Sequence, residues 1–232
     1  MNAGDPHDLN RLMPAEGVEM LDPTTLAVYV VTSAAFLGRD HRTVASAAIE
    51  GGATAVQLRA PGSNDDELLT LAADLAKACR DAGVLFMVND RIEVALESDA
   101  AGVHLGQGDD PHDARRRLGA GRVLGVSVGG VDEAVAADRA GADYLGVTVW
   151  ATPTKPDAEP RGLVGLGDVV EITALPVVGI GGIFATNATL VLEAGAAGVA
   201  VISAVAAATD PVGATRGLVA IVERFRAEAF RR

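Results

Sequence analysis

The amino-acid sequence predicts one α/β domain closed into a (β/α)8 TIM barrel. Three observations carry this. The chain has 232 residues, long for a two-layer domain and the right length for one such barrel. From residue 26 onward, eight short β-rich runs alternate with amphipathic helical runs. Those β-rich runs are almost continuously apolar, the pattern of parallel strands covered on both faces. The barrel is therefore placed at residues 26–232, and residues 1–25 are set apart as an N-terminal arm, flexible or a short helix.

The arm comes first because it lacks the pattern. It opens MNAGDPHDLNRLMPAEG, has weak periodicity and carries three prolines that break helices. It has no apolar core of the kind a signal peptide needs. The strand candidates then follow in order: LAVYVVT (26–32), ATAVQLR (53–59), LFMVND (85–90), AGVHLG (101–106), RVLGVSV (122–128), ADYLGVTV (142–149), PVVGIG (176–181) and AGVAVIS (197–203). Between them lie helical runs such as DDELLTLAADLAKACRDAG (65–83), DEAVAADRAGA (132–142) and NATLVLEAGAAG (187–198). Gly51, Gly83, Gly141 and Gly195 close helices as C-terminal caps. The phrases EGGATAV, RAGADYL and EAGAAGV each mark a helix end entering the next strand. Their spacing is unequal, which excludes a solenoid. The longest loop, 150–163, is rich in Pro, Thr and charge, as functional or mobile loops are.

Composition narrows the function. Apolar residues make up 49% of the chain but aromatics only 3%, so Ala, Val, Leu and Gly must fill the interior. A formal net charge of -12 disfavours a nucleic-acid surface, and so does the lack of stacking aromatics. No stretch reaches the roughly 18 uninterrupted apolar residues of a membrane span. The single cysteine, Cys79, allows no disulfide within the chain and falls in a helical run, where packing is its expected role. A cytoplasmic protein acting on small molecules is expected, and a homo-oligomer is left open.

In a barrel of this kind the chemistry sits at the carboxyl ends of the strands. The second strand ends in Gln57 and Arg59, which alternation puts on the same side. The third ends in Asn89-Asp90-Arg91, and the fourth runs through His104 into Gly106-Gln107-Gly108-Asp109. The fifth ends near Ser127, the sixth leads to Thr152, Thr154 and Lys155, and the last two end in Gly181-Gly182 and Ile202-Ser203. Asp90 and Asp109 follow adjacent strands, so both carboxylates can reach one Mg²⁺ ion. Each has an alternative as a helix N-cap, Asp90 for IEVALES and Asp109 for the helix begun by Pro111. Clusters of Cys and His that would suit zinc are absent. Arg59 and Lys155 are placed to neutralise an anionic leaving group, or alternatively to pair with those aspartates. His104 is read as a hydrogen-bonded barrel residue rather than a general base. The small residues after the last two strands suit a phosphate held by backbone N–H groups.

QLR, ND, GVHLGQxD, GVS, TPTK, GIGGI and VIS, in this order over residues 29–204, resemble the thiamine-phosphate synthase family. The resemblance implies a (β/α)8 enzyme that joins hydroxymethylpyrimidine diphosphate to thiazole phosphate, releases pyrophosphate and requires Mg²⁺. It implies that Gln57, Arg59, Asn89, Ser127 and Lys155 contact the pyrimidine diphosphate and that Asp90 and Asp109 hold the metal. Thr152, Thr154, Gly182, Ile202 and Ser203 would contact the thiazole phosphate. Arg59, Ser127 and Lys155 are the candidate catalytic set. One departure stands out: the family usually reads QLREK where this chain reads Gln57-Leu58-Arg59-Ala60-Pro61, so a diphosphate-contacting lysine is replaced by Pro61. A related thiazole tautomerase shares the fold and uses a His base. Ser127 at the corresponding position, with Asp109 kept, favours the synthase. A non-catalytic phosphate-ligand binder is the remaining alternative.

Overall fold

The computed structural model describes residues 21–34, 36–153, 158–229 and 231. Eight parallel strands close into a barrel in chain order. They are β1 (Val28–Val31), β2 (Ala55–Leu58), β3 (Leu85–Asn89), β4 (Gly102–Leu105), β5 (Val123–Val128), β6 (Tyr144–Thr148), β7 (Val177–Ile180) and β8 (Gly198–Val201). Each falls inside one of the predicted runs. Closure pairs Tyr29 of β1 with Ala200 of β8 on one side and with Ala55 of β2 on the other. The helices between strands are α1 (His41–Glu50), α2 (Asp65–Asp81), α3 (Ile92–Glu97), α4 (Pro111–Leu118), α5 (Val131–Arg139), α6 (Gly162–Ile172) and α7 (Ala188–Glu193). After β8 come a single turn, α8 (Ser203–Ala206), and the closing helix α9 (Pro211–Ala229). Of the N-terminal arm, residues 1–20 lie outside the described residues. The 3-10 turn Pro23–Leu26 leads into β1, with the Asp22 carboxylate accepting from Thr24 N at 2.8 Å.

Strand alternation splits the core into two layers. Val30, Val56, Val88 and Val103 point outward and join the helix faces in a shell around the barrel. Leu26, Tyr29, Ala55, Met87, Tyr144, Val178 and Ala200 point inward and form a separate interior cluster. Burying a Val, Leu or Met side chain among them stabilises the fold by roughly 1.5–3 kcal/mol, and an Ala by less. Cys79 sits in the outer layer, fully buried, and burial pushes its thiol up to about 12, so packing is its role.

Two tyrosines inside one barrel need room, and glycine makes it. A Cβ on Gly125 would stand 2.2 Å from the Tyr144 ring, and one on Gly146 would stand 3.2 Å from His104. The helix ends agree with the sequence reading. Gly83, Gly141 and Gly195 take positive φ just past α2, α5 and α7, as capping glycines do. At α1 Gly51 is the C-cap, as read from sequence, and the positive φ falls on the next residue, Gly52, at φ 87. Gly51 has an ordinary helical φ and is small for a different reason: a Cβ there would lie 2.4 Å from Thr215 of α9.

At the amino-terminal face, Arg115 of α4 fastens several connections at once. It donates to the carbonyls of Gly119, Arg122 and Gly141 at 2.7, 2.7 and 3.0 Å and pairs with Asp143 at 2.6 Å. The Asp143 carboxylate in turn accepts from Leu124 N at 2.6 Å.

Candidate active site at the carboxyl ends of the strands

The inward residues at the carboxyl ends open into a cleft. Gln57, Arg59, Asn89 and Ser127 line one side; Thr152, Gly182, Ile202 and Ser203 line the other. Eight of the sequence-predicted residues therefore meet around one cavity. Thr154 and Lys155 lie outside the described residues. Arg59 forms no ion pair among the described residues, so the pairing with Asp90 or Asp109 considered from sequence does not occur there.

Asp90 and Asp109 converge beside this cleft. Asp90 has φ 61, a left-handed backbone unusual for a side-chain-bearing residue. Arg91 N donates to Asn89 O at 2.7 Å across it, closing a tight turn at the end of β3. The turn brings Asp90 Oδ1 to 3.3 Å from Gly106 N, and Asp109 Oδ2 accepts from the same N–H at 2.9 Å. Neither aspartate serves as the N-cap considered for it. Arg91 occupies the N-cap of α3 without a side-chain bond, and Asp110 caps α4 by accepting from His112 N and Asp113 N. Two carboxylates drawn to one point at a site mouth offer hard oxygen donors, which fit a Mg²⁺ ion that keeps part of its water shell. Among the described residues no group of three or more His, Cys, Asp or Glu is placed to hold a metal by itself.

The opposite side is built from backbone. Gly181 and Gly182 have φ 87 and 64, and the loop after β6 packs onto them. A Cβ on Gly181 would lie 2.6 Å from Trp150 O, and one on Gly182 would lie 2.9 Å from Trp150 Cβ. Asn187 locks the same turn by donating to Gly182 O at 2.9 Å and accepting from Phe184 N at 2.8 Å. Ser203 starts α8, where Val205 N and Ala206 N donate to Ile202 O at 3.2 and 2.9 Å, so within this turn only the N–H groups of Ser203 and Ala204 precede the helical bonds. Backbone N–H groups on the loops after β7 and β8 are a candidate anion site.

Sequence reasoning missed what lies beneath the cleft. Gln57 Nε2 donates to Tyr29 Oη at 2.7 Å. Tyr29 Oη lies 3.0 Å from Tyr144 Oη, which lies 2.9 Å from His104 Nδ1. His104 Nε2 lies 2.9 Å from Ser127 Oγ. His104 is thus a hydrogen-bonded barrel residue, as expected, but its partners include a candidate site residue. The available signal was alternation: Tyr29, His104 and Tyr144 share the inward parity of their strands with Val31, Gly102 and Gly146.

The fold and cleft define a class: a (β/α)8 barrel with a candidate active site at the carboxyl ends of its strands, where Arg59 and the two aspartates lie across from the glycine turn after β7. Comparison with known proteins narrows it. The family model described as thiamine monophosphate synthase matches residues 28–205. The thiamine-phosphate synthase of Chloroflexus aurantiacus is 50% identical over 198 residues, covering 84% of this chain and 92% of the relative. That of Archaeoglobus fulgidus is 47% identical over 203 residues, covering 87% and 95%. The solved thiamine phosphate pyrophosphorylase from Pyrococcus furiosus superposes with a TM-score of 0.82 at 40% identity, covering 88% of this chain and 98% of that one. The chain belongs to the thiamine-phosphate synthase family.

Proposed function

We propose that this enzyme condenses hydroxymethylpyrimidine diphosphate with thiazole phosphate to give thiamine monophosphate and pyrophosphate. The observation that carries this reading is the two-sided cleft. Gln57, Arg59, Asn89 and Ser127 on β2, β3 and β5 face Thr152, Gly182, Ile202 and Ser203 on the loops after β6, β7 and β8. A joining reaction between two phosphorylated molecules needs two anion subsites across one gap.

The chemistry follows from those groups. The bond between the pyrimidine's exocyclic carbon and its diphosphate oxygen breaks, and the electron pair leaves with pyrophosphate. The electron-rich aminopyrimidine stabilises the carbocation left behind. The thiazole nitrogen then supplies its lone pair to the new C–N bond, and no proton has to be removed. Arg59 and Lys155 stabilise the charge that builds on the leaving group, and Ser127 orients it. The backbone site at Gly182 and Ser203 fixes the thiazole phosphate so that its nitrogen faces the cation. Asp90 and Asp109 are the residues that would hold Mg²⁺, which when bound offsets diphosphate charge.

Substrate-specific kinetics test the assignment of sides. Arg59→Ala should raise KM for the pyrimidine diphosphate or lower kcat while leaving KM for the thiazole phosphate alone. Gly182→Val, which places a side chain against Trp150 at positive φ, should act mainly on KM for the thiazole phosphate. The opposite pattern would reverse the two subsites.

A further inference from the structure

The chain of hydrogen bonds below the cleft has a direction, and the direction sets the chemistry of Ser127. Gln57 Nε2 can only donate, so Tyr29 Oη accepts from it. Tyr29 is 2% exposed and has one proton to place. Among the described residues its acceptor is Tyr144 Oη, 3.0 Å away. Tyr144, fully buried, then passes its own proton toward His104 Nδ1 at 2.9 Å. An Nδ1 that accepts leaves the neutral imidazole with its proton on Nε2, which donates to Ser127 Oγ at 2.9 Å. Ser127, having accepted, turns its hydroxyl proton into the cleft. The reverse direction would strand the Tyr29 proton in the barrel interior, at the cost of an unsatisfied buried donor. Burial also raises both phenols well above the usual tyrosine range, so both keep their protons.

From this we infer that Tyr29, Tyr144 and His104 are positioning residues. Together with Gln57 they hold His104 as the Nε2–H tautomer and commit Ser127 to donating a hydrogen bond to the anionic leaving group. The His–Ser pair therefore runs opposite to a nucleophile and its base. In this state His104 has no lone pair facing Ser127 with which to take its proton. The inference rests on the proposed condensation for the identity of the anion but not for the tautomer.

Nitrogen NMR of histidine-labelled protein without substrates reads the tautomer directly. The expected spectrum has an unprotonated Nδ1 and a protonated Nε2 for His104, and Tyr144→Phe should relax that preference. Kinetics read the consequence. Ser127→Ala and Tyr144→Phe should each lower kcat by about 10- to 100-fold, the range for one hydrogen bond to an anion. The double variant should be no slower than Ser127→Ala alone, and KM for the thiazole phosphate should stay unchanged. If Tyr144→Phe does not fold, His104→Gln provides the second variant. Its amide N–H can still donate to Ser127, so it should retain more activity than His104→Leu. A protonated Nδ1 in the wild type, or effects of the two variants that multiply, would overturn the inference. Wild-type turnover measured alongside separates that outcome from failure of the condensation itself.

Discussion

Asp109 and Pro61 test the site one residue at a time. Asp109 accepts from Gly106 N, and an asparagine oxygen can accept the same bond, so Asp109→Asn should leave the fold intact while removing a carboxylate proposed to hold Mg²⁺. A loss of roughly a hundredfold or more in turnover is expected, with a higher Mg²⁺ requirement. Equal rates in metal titrations of both proteins would remove Asp109 from the metal site. Pro61 is exposed, and Ser63 N donates to Ala60 O at 3.3 Å around it, with Gly62 at φ 89. That is a type II turn with Pro and Gly in their favoured places. Lysine also tolerates the first of those places, so Pro61→Lys should fold with a small entropic loss of roughly 0.4–1 kcal/mol. Its KM for the pyrimidine diphosphate should be equal or lower; a clear rise would mean that the proline turn itself shapes the site. At this scale the mouth residues were legible from sequence because strand ends and alternation fix where side chains point. Tyr29 and Tyr144 were not, since an inward tyrosine reads as core until the partners of its hydroxyl are known.

Between elements, the barrel depends on close approach, which single substitutions can break. Gly125→Ala puts a methyl into the Tyr144 ring, a backbone-anchored clash between β5 and β6. Overpacking of this kind costs roughly 1–3 kcal/mol, and here it should also disturb the hydroxyl network and so lower kcat. Thermal melting with kinetics on the same sample checks both; a melting point equal to wild type would mean that the ring moves freely. Arg115→Ala acts far from the cleft. It removes an arginine that joins α4 to three carbonyls and Asp143, with only 20% of its side chain exposed. Stability should fall by roughly 2–3 kcal/mol, with kcat per folded molecule unchanged. Element boundaries were less legible than element order. Within the helical run 187–198, α7 stops at Glu193, Gly195 turns the chain at φ 93 as the cap read from sequence, and Gly198 starts β8. Ser203 reads as a strand end but opens the short helix α8.

For the whole molecule, eight apolar runs separated by amphipathic helices leave few arrangements other than a closed parallel barrel, and each strand lies beside the next in the order β1 to β8. What sequence could not show is how the two walls of the cleft face each other, because that depends on barrel curvature and on the packing of Trp150 against Gly181 and Gly182. In the proposed reaction these walls bring two phosphorylated substrates together, and pyrophosphate leaves as they join. Phosphorus NMR of the purified protein with hydroxymethylpyrimidine diphosphate, thiazole phosphate and Mg²⁺ tests it most directly. Pyrophosphate and thiamine monophosphate should appear in equal amounts, only when both substrates are present, and chelating the metal should stop the reaction. Unchanged spectra from the complete mixture, under conditions where both substrates bind, would contradict it.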